Sequence, residues 1–205
     1  LVVSGVCATL VSVPLIALLA VQLTSNQFVR ETEKSLIQQS AIYAELFGDA
    51  FLALPGAPLG MPMDEARQAY WGEDLHPVQA TLNVRVNPVL EPRPEGMPVQ
   101  TPVDPRYQEI IASLVDVARK AQKTNLSGVA FLSHDGRLLN DPLAPSLGAL
   151  EEVQAALRGE VGRALRLRGR SFDPHPLASI SRDTAYRVFV AYPVIDQDRV
   201  IGAVY

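Results

Sequence analysis

The feature that most constrains this chain is an apolar run that continues into a helical repeat without a turn signal. No charged residue occurs from Leu1 to Leu23, and the first charge is Arg30. At about 1.5 Å per residue, a helix over this run would cover the roughly 30 Å hydrocarbon core of a bilayer. Pro14 would kink such a helix, which a bilayer tolerates better than water does. We therefore predict a transmembrane helix over residues 1–24.

Two alternatives to a membrane span stay open for the same run. A secretory signal normally has a shorter apolar region of about 7–15 residues that ends at small residues, and no convincing site of that kind follows here. The other alternative is a buried helix of a soluble domain. A lipid anchor at Cys7 is disfavoured, because the bulky Val6 precedes it and the apolar run follows it. As the single cysteine, Cys7 cannot form an intramolecular disulfide.

The next segment, "SNQFVRETEKSLIQQSAIYAELFGDAFLAL", predicts a membrane-proximal signalling helix over residues 25–54. Its core-type positions recur every 3.5 residues on average, as in a coiled coil: Val29, Thr32, Leu36, Gln39, Tyr43, Leu46 and Ala50. Such a face either covers the sheet of its own domain or pairs with a second protomer, and the two can coexist on different stretches. For the second case we predict dimer contacts at Val29, Leu36 and Tyr43.

Residues 55–104 are rich in proline and begin with Pro55-Gly56, which ends the helix. Two short elements are expected inside this segment. "MDEARQAY" predicts a helix capped by Asp64. "VQATLNVRV" alternates apolar and polar residues, which is typical of a half-buried strand.

Residues 105–205 carry the signals of an α+β core with an antiparallel sheet and helices packed on it. Asp104-Pro105 predicts a helix start, because Asp caps well and Pro suits the first helical position. "SGVAFLSHDGRLLN" predicts two strands around a turn, and "SLGALEEVQAALRG" predicts a helix that Ser146 caps and Gly159 ends. The remaining expected strands are Arg163–Arg168, Leu177–Arg182, Ala185–Tyr192 and Val200–Tyr205. The last two strands are predicted to form a terminal hairpin around the turn Asp196-Gln197-Asp198.

No catalytic constellation is visible. The net charge of −4 argues against a nucleic-acid partner, since binding phosphates needs a basic surplus. The three histidines, His76, His134 and His175, do not share ligand spacing, so no metal site is predicted. Nucleophile and phosphate-loop motifs are also missing from the sequence. We therefore assign no catalytic residue.

The strongest binding signal is cationic. In "RGEVGRALRLRGR", Leu165 and Leu167 point to one side of a strand while Arg166 and Arg168 point to the other. A solvated face explains this pattern, and so does a face that recognises anions or lipid headgroups. The candidate ligand-binding residues are Arg166, Arg168, Arg182, Tyr186 and Arg187.

Three stretches carry a resemblance to a known family. "FVRETEKSLIQQSAIYAELF" is similar to the helix that leaves the first membrane span of sensor histidine kinases, and "GVAFLSHDGRLLN" is similar to the central strands of PAS-like sensors. "LEEVQAALRGEVGRALR" and "RVFVAYPVIDQDRVIGAVY" resemble the closing helix and strands of such sensors. The chain thus resembles the N-terminal region of bacterial HAMP-containing sensor histidine kinases with an extracytoplasmic PAS-like sensor.

This resemblance implies a function in two-component signal transduction. The chain would be the stimulus-sensing region, located in the bacterial inner membrane, with residues after about 25 periplasmic and a second transmembrane helix after Tyr205. It would form a homodimer, contact the lipid bilayer, respond to an unknown stimulus or small ligand, and signal to a cognate response regulator. No cofactor is expected in this fragment, whereas the kinase portion would use ATP and Mg for autophosphorylation and phosphotransfer.

Other functions remain open beside the kinase. The same architecture serves as the input domain of chemoreceptors and of membrane-bound cyclic-di-GMP enzymes. A single-pass anchored binding or envelope protein, without a transmitter, is an alternative from a different class.

Overall fold

A long N-terminal helix lies against one face of a six-stranded sheet in the computed structural model. The structure describes the backbone of residues 2–169 and 186–205 and the side chains of residues 25–169 and 186–205. The elements, in chain order, are α1 (Val2–Leu52), β1 (Met61–Pro62), α2 (Glu65–Trp71), β2 (Val89–Leu90), α3 (Pro105–Asn125), β3 (Phe131–Ser133), α4 (Glu151–Leu157), β4 (Gly162–Leu167), β5 (Tyr186–Asp196) and β6 (Arg199–Val204). These elements form an α+β fold.

Strands β5 and β6 lie in the middle of the sheet. The strand order is β1-β6-β5-β4-β2, and β3 also pairs with β6. All pairs are antiparallel except β2 with β4. The predicted terminal hairpin is confirmed, with Asp196 opposite Arg199 and Gln197 in the left-handed region at a φ of 52°.

Helices α1 and α3 cover one face of this sheet. In β5, Val190, Tyr192 and Val194 belong to the same buried cluster as Phe47 and Phe51 of α1. Burying each large apolar side chain stabilises the fold by about 1.5–3 kcal/mol relative to exposing it. The packing therefore makes α1 part of the domain core.

Helix α4 covers the opposite face. Val153 and Ala156 of α4 pack with Ala191 of β5 and Ala203 of β6. The approach is close enough that a Cβ on Gly162 would collide with the main chain of Glu152. A glycine at this position of β4 is what allows α4 to sit directly on the sheet.

The predicted transmembrane helix over residues 1–24 is wrong. In the part of the chain that the structure describes, no helix is long and apolar enough to cross a membrane. The backbone of α1 is one helix from Val2 to Leu52, but its described side chains include Arg30, Glu31, Glu33 and Lys34 within two turns. These charges lie beyond residues 1–24. At about 2.5–3.5 kcal/mol for each Arg or Lys at the centre of a bilayer, they disfavour a span through the part of α1 whose side chains the structure describes.

The residues predicted to cap α2 and α3 are confirmed as N-caps. Asp64 accepts a hydrogen bond from the Arg67 N–H (2.9 Å) at the start of α2. Asp104 accepts one from the Arg106 N–H (3.0 Å), and α3 begins at Pro105. Both caps satisfy backbone N–H groups that have no partner within the helix.

Two predicted elements are corrected. Ser146 does not cap α4, which begins at Glu151 with Leu150 at the N-cap; the Ser146 hydroxyl instead accepts from the Gly148 N–H (3.2 Å). In the predicted "SGVAFLSHDGRLLN" hairpin, β3 forms, but Leu138 makes only an isolated bridge with Leu132. The strand predicted over Leu177–Arg182 lies outside the described residues.

The strand predicted for "VQATLNVRV" is also wrong, because a buried carboxylate takes its backbone donors. Glu33 of α1 is fully buried and accepts hydrogen bonds from the N–H groups of Thr81 (3.0 Å) and Leu82 (2.7 Å). Its Oε1 also lies 2.8 Å from Arg163 Nε on β4. We call these four residues the Glu33 junction, which ties α1, the 78–86 loop and the sheet together.

Candidate ligand-binding cavity

A cavity of about 440 Å³ opens between the start of α3, the segment before it and the loop after β3. This volume lies within the range of about 300–1,000 Å³ that small-molecule sites occupy. Its lining combines apolar and polar residues: Val99, Gln100, Thr101, Pro102, Val103, Tyr107, Gln108, Ile111, Arg137, Leu139, Asn140, Asp141, Pro142 and Ala144.

The first turns of α3 form one wall and are held rigidly. The Arg106 guanidinium donates to both carboxylate oxygens of Asp104 at 3.0 Å, and this bond lowers the pKa of Asp104. Arg106 also donates to the Ala57 carbonyl (2.9 Å) and lies over the Phe51 ring, 4.8 Å from its centroid. The cavity wall is thus fastened to the end of α1 and to the chain that follows it.

The opposite wall is a tight loop from Ser133 to Gly148. Gly136 has a φ of +78°, and a Cβ there would lie 2.9 Å from Gly148 Cα, so a side chain does not fit. Ser133 Oγ accepts from the Arg137 N–H (3.0 Å), and Asp141 accepts from the Leu143 N–H (2.8 Å). These bonds place Arg137 and Asp141 without a regular strand.

Arg137 is the most unusual residue of the lining. It is 4% exposed, its Nε donates to the Ala144 carbonyl (3.0 Å), and its Nη1 donates to the Thr101 carbonyl. Within residues 25–169 and 186–205, no acidic side chain forms an ion pair with it. A buried charge is costly unless it is paired and hydrogen-bonded, so a cation held in this way marks a candidate site.

The predicted ligand residue Arg166 lies elsewhere, in a closed internal network. Its guanidinium donates to both carboxylate oxygens of Glu152 at 2.8 Å, and the Tyr205 hydroxyl donates to Glu152 Oε1 at 2.8 Å. Burial alone would raise the pKa of Glu152, but the bonds from Arg166 and Tyr205 outweigh it and lower that pKa. Because α4 covers this face of β4, Arg166 does not lie on a solvated surface.

The other predicted ligand residues are not brought to the cavity. Arg187 is exposed and lies opposite Arg166 in the β4–β5 register, while Tyr186 packs on the cluster of Val29, Leu82 and Leu165. Arg168 is half-buried beyond the end of β4. Arg182 lies outside the described residues. Their role in binding stays a prediction.

The predicted dimer contacts face the protomer's own sheet. Val29 and Tyr43 are buried within the chain in two different clusters, and Leu36 is half-buried against the cluster that contains Tyr43. Exposed apolar residues in the described part of α1 include Phe28, Ile42 and Leu46, which lie on its other side. Pairing through Val29, Leu36 and Tyr43 stays a prediction that no observation tests.

Sequence reasoning missed Arg137 and Tyr107 as site residues. The available signal was a cation directly after the His134-Asp135-Gly136 turn and before two leucines, a charge in an otherwise apolar strand pattern. The contact with Thr101 spans 36 positions and leaves no trace in the local sequence. No group of three His, Cys, Asp or Glu side chains in the described ranges is placed to hold a metal ion.

Comparisons with known proteins assign no family and no ligand to this chain. No protein-family model matches the chain, and no curated protein and no solved structure matches it either. The cavity is therefore interpreted from its own residues.

Proposed function

We propose that this chain is a sensing domain that binds a small molecule in the cavity and passes the binding event to helix α1. One residue supports the proposal most directly. Tyr107 lines the cavity and also packs on α1. The centroid of its ring lies 4.9 Å from that of the Phe51 ring and 6.0 Å from that of the Phe47 ring. A ligand that moves Tyr107 therefore acts on α1 through direct contact.

Tyr107 is also bonded to the sheet. Its hydroxyl donates to the Ile201 carbonyl (2.6 Å) and lies 3.0 Å from His134 Nδ1. Burial raises the pKa of Tyr107 well above its usual range, so the hydroxyl stays protonated and keeps this donor at physiological pH. Tyr107 thus contacts the cavity, the sheet and α1 at the same time.

Helix α1 suits the output side of such a domain. It has 51 residues, which at 1.5 Å per residue gives a length of about 77 Å. A ligand shifts a two-state equilibrium only by its difference in affinity for the two states, and a tenfold difference supplies about 1.4 kcal/mol. A continuous helix can carry a small displacement of its last turns over that whole length.

For the parent protein we propose a sensor histidine kinase, on the strength of the resemblance alone. The test is the coding region that follows Tyr205, expressed together with this chain. A histidine-bearing helical hairpin and an ATP-binding domain, with ATP-dependent autophosphorylation, would support the kinase. A chemoreceptor or cyclase output would keep the sensing domain and contradict the kinase.

The sensing proposal is tested with a cavity-filling variant. Ile111→Trp places a large side chain in the cavity from α3, and Val117→Trp places the same side chain on an exposed position of the same helix. We would screen the full chain by thermal shift against amino acids, sugars, nucleosides and carboxylic acids. We would then measure hydrogen exchange of α1 with each hit.

We expect at least one compound class to raise the melting temperature and to change hydrogen exchange at residues 44–52. Ile111→Trp should abolish both effects, and Val117→Trp should leave them intact. Binding that survives Ile111→Trp would place the site elsewhere. Binding without any change in α1 would contradict the transmission step.

A further inference from the structure

We infer that the cavity binds a small organic monocarboxylate, whose carboxylate group pairs with Arg137; this inference rests on the proposed sensing function. Several other arginines of the described region are paired with carboxylates. Arg67, Arg106, Arg163 and Arg166 are all at least half-buried, and each lies within ion-pair distance of a carboxylate. Arg137 is less exposed than any of them and has carbonyl partners in place of a carboxylate.

The guanidinium has donor capacity left for a ligand. An arginine carries five N–H donors, and the bonds to Ala144 and Thr101 use two of them. The planar fork of the remaining donors matches the two oxygens of a carboxylate. A carboxylate would also supply the negative charge that the buried guanidinium lacks.

The rest of the lining limits the charge of the ligand. Among the described residues that line the cavity, Asp141 is the one acidic side chain, and it would oppose a ligand with several negative charges. The Asn140 amide is partly engaged, since its oxygen accepts from the Phe131 N–H (2.6 Å) and its nitrogen donates to the Val129 carbonyl (3.1 Å), which leaves one N–H donor of the amide group. A single carboxylate therefore fits better than a dicarboxylate or a phosphate.

The apolar part of the lining indicates the body of the ligand. Val103, Ile111 and Leu139 line the cavity and also pack against the hydrophobic core. They offer a surface for an aliphatic or aromatic group, as in most small-molecule sites. The expected ligand is thus a short branched or aromatic acid, with its charged end at Arg137.

The test compares acids with neutral amides of the same shape on the full chain. Isovalerate is paired with isovaleramide, and phenylacetate with phenylacetamide, by titration calorimetry with sodium chloride as the anion control. A charge-assisted bidentate contact should make each acid bind about tenfold or more tightly than its amide. Arg137→Gln should remove that difference, and Arg137→Lys should retain part of it.

The outcomes separate this inference from the sensing proposal. Equal binding of acids and amides, abolished by Ile111→Trp, would keep the sensing cavity and overturn the carboxylate assignment. Chloride that displaces the acids at equal concentration would also overturn it. If no acid of the series binds at millimolar concentration, the inference fails even where the thermal-shift screen finds another class of ligand. If Arg137→Gln does not fold, the difference in affinity between acid and amide on the unaltered chain still tests whether the cavity recognises a carboxylate.

Discussion

Glu33→Gln tests whether the Glu33 junction holds α1 on the sheet. The substitution keeps the shape of the side chain and removes its charge. One amide oxygen remains for Thr81 or Leu82, while the new NH₂ group faces the other backbone donor. Arg163 also loses its counter-charge; its Nε lies 2.8 Å from Glu33 Oε1 without the alignment of a hydrogen bond, so this contact is mainly Coulombic.

The expected loss follows from these contacts. A hydrogen bond to a charged group contributes about 1.5–3 kcal/mol, and breaking a buried ion pair costs about 3–5 kcal/mol. The Arg163 side chain is 23% exposed and remains partly hydrated, so its share of the cost is reduced. We therefore expect Glu33→Gln to lower the free energy of unfolding by about 3 kcal/mol.

Urea denaturation followed by circular dichroism measures this change. With a slope of about 2 kcal/mol per molar urea, the midpoint should fall by about 1.5 M. Glu31→Gln, at an exposed position of the same helix, is the matched control and should change stability by less than about 0.5 kcal/mol. In a double-mutant cycle, Glu33→Gln with Arg163→Gln should cost less than the sum of the single changes. Equal midpoints for Glu33→Gln and Glu31→Gln would refute the reasoning.

Three further predictions concern the face of the sheet that α4 covers. Gly162→Ala should destabilise the chain by about 3 kcal/mol or more, since the new Cβ meets the Glu152 main chain. A denaturation midpoint close to that of the unaltered protein would contradict the close approach of α4 to β4. The lowered pKa of Glu152 means that this carboxylate stabilises the fold above its unfolded pKa of about 4.3, and that the stabilisation is lost as the pH falls through the lower folded pKa. Glu152→Gln should therefore flatten the acid side of a plot of stability against pH. An unchanged plot would exclude a contribution of the Glu152 charge to stability. Tyr205→Phe removes one donor to Glu152 and should cost about 1–2 kcal/mol by urea denaturation, but it should cost far less in the Glu152→Gln background.

Elements fixed by neighbouring residues were predictable from the sequence. Asp64 and Asp104 cap their helices through bonds to residues two or three positions away, and the Asp196-Gln197-Asp198 turn joins two adjacent strands. Each of these signals is local, so no distant contact competes with it. The α+β class follows from the same signals, taken in order.

The failures arise where distant contacts override local patterns. The alternation in "VQATLNVRV" does not produce a strand, because a carboxylate 48 positions away binds the Thr81 N–H. Arg166 alternates with leucines as an exposed residue would, but both faces of β4 are covered, and Glu152 of α4 meets it. The charge-free run at the N-terminal end predicted a membrane span and does not produce one among the described residues. The cavity itself depends on Arg137 reaching Thr101, which no periodicity reveals.

The strand order has a consequence for how this domain acquires its structure. The middle of the sheet is occupied by β5 and β6, which come last among the described elements, whereas α1 comes first and packs on β5. Tyr107 likewise bonds to the Ile201 carbonyl, 94 positions away. During synthesis on the ribosome, the apolar faces of α1 and α3 would stay exposed until β5 and β6 have been made. Folding should therefore be slow for the size of the domain, because its contacts join distant parts of the chain.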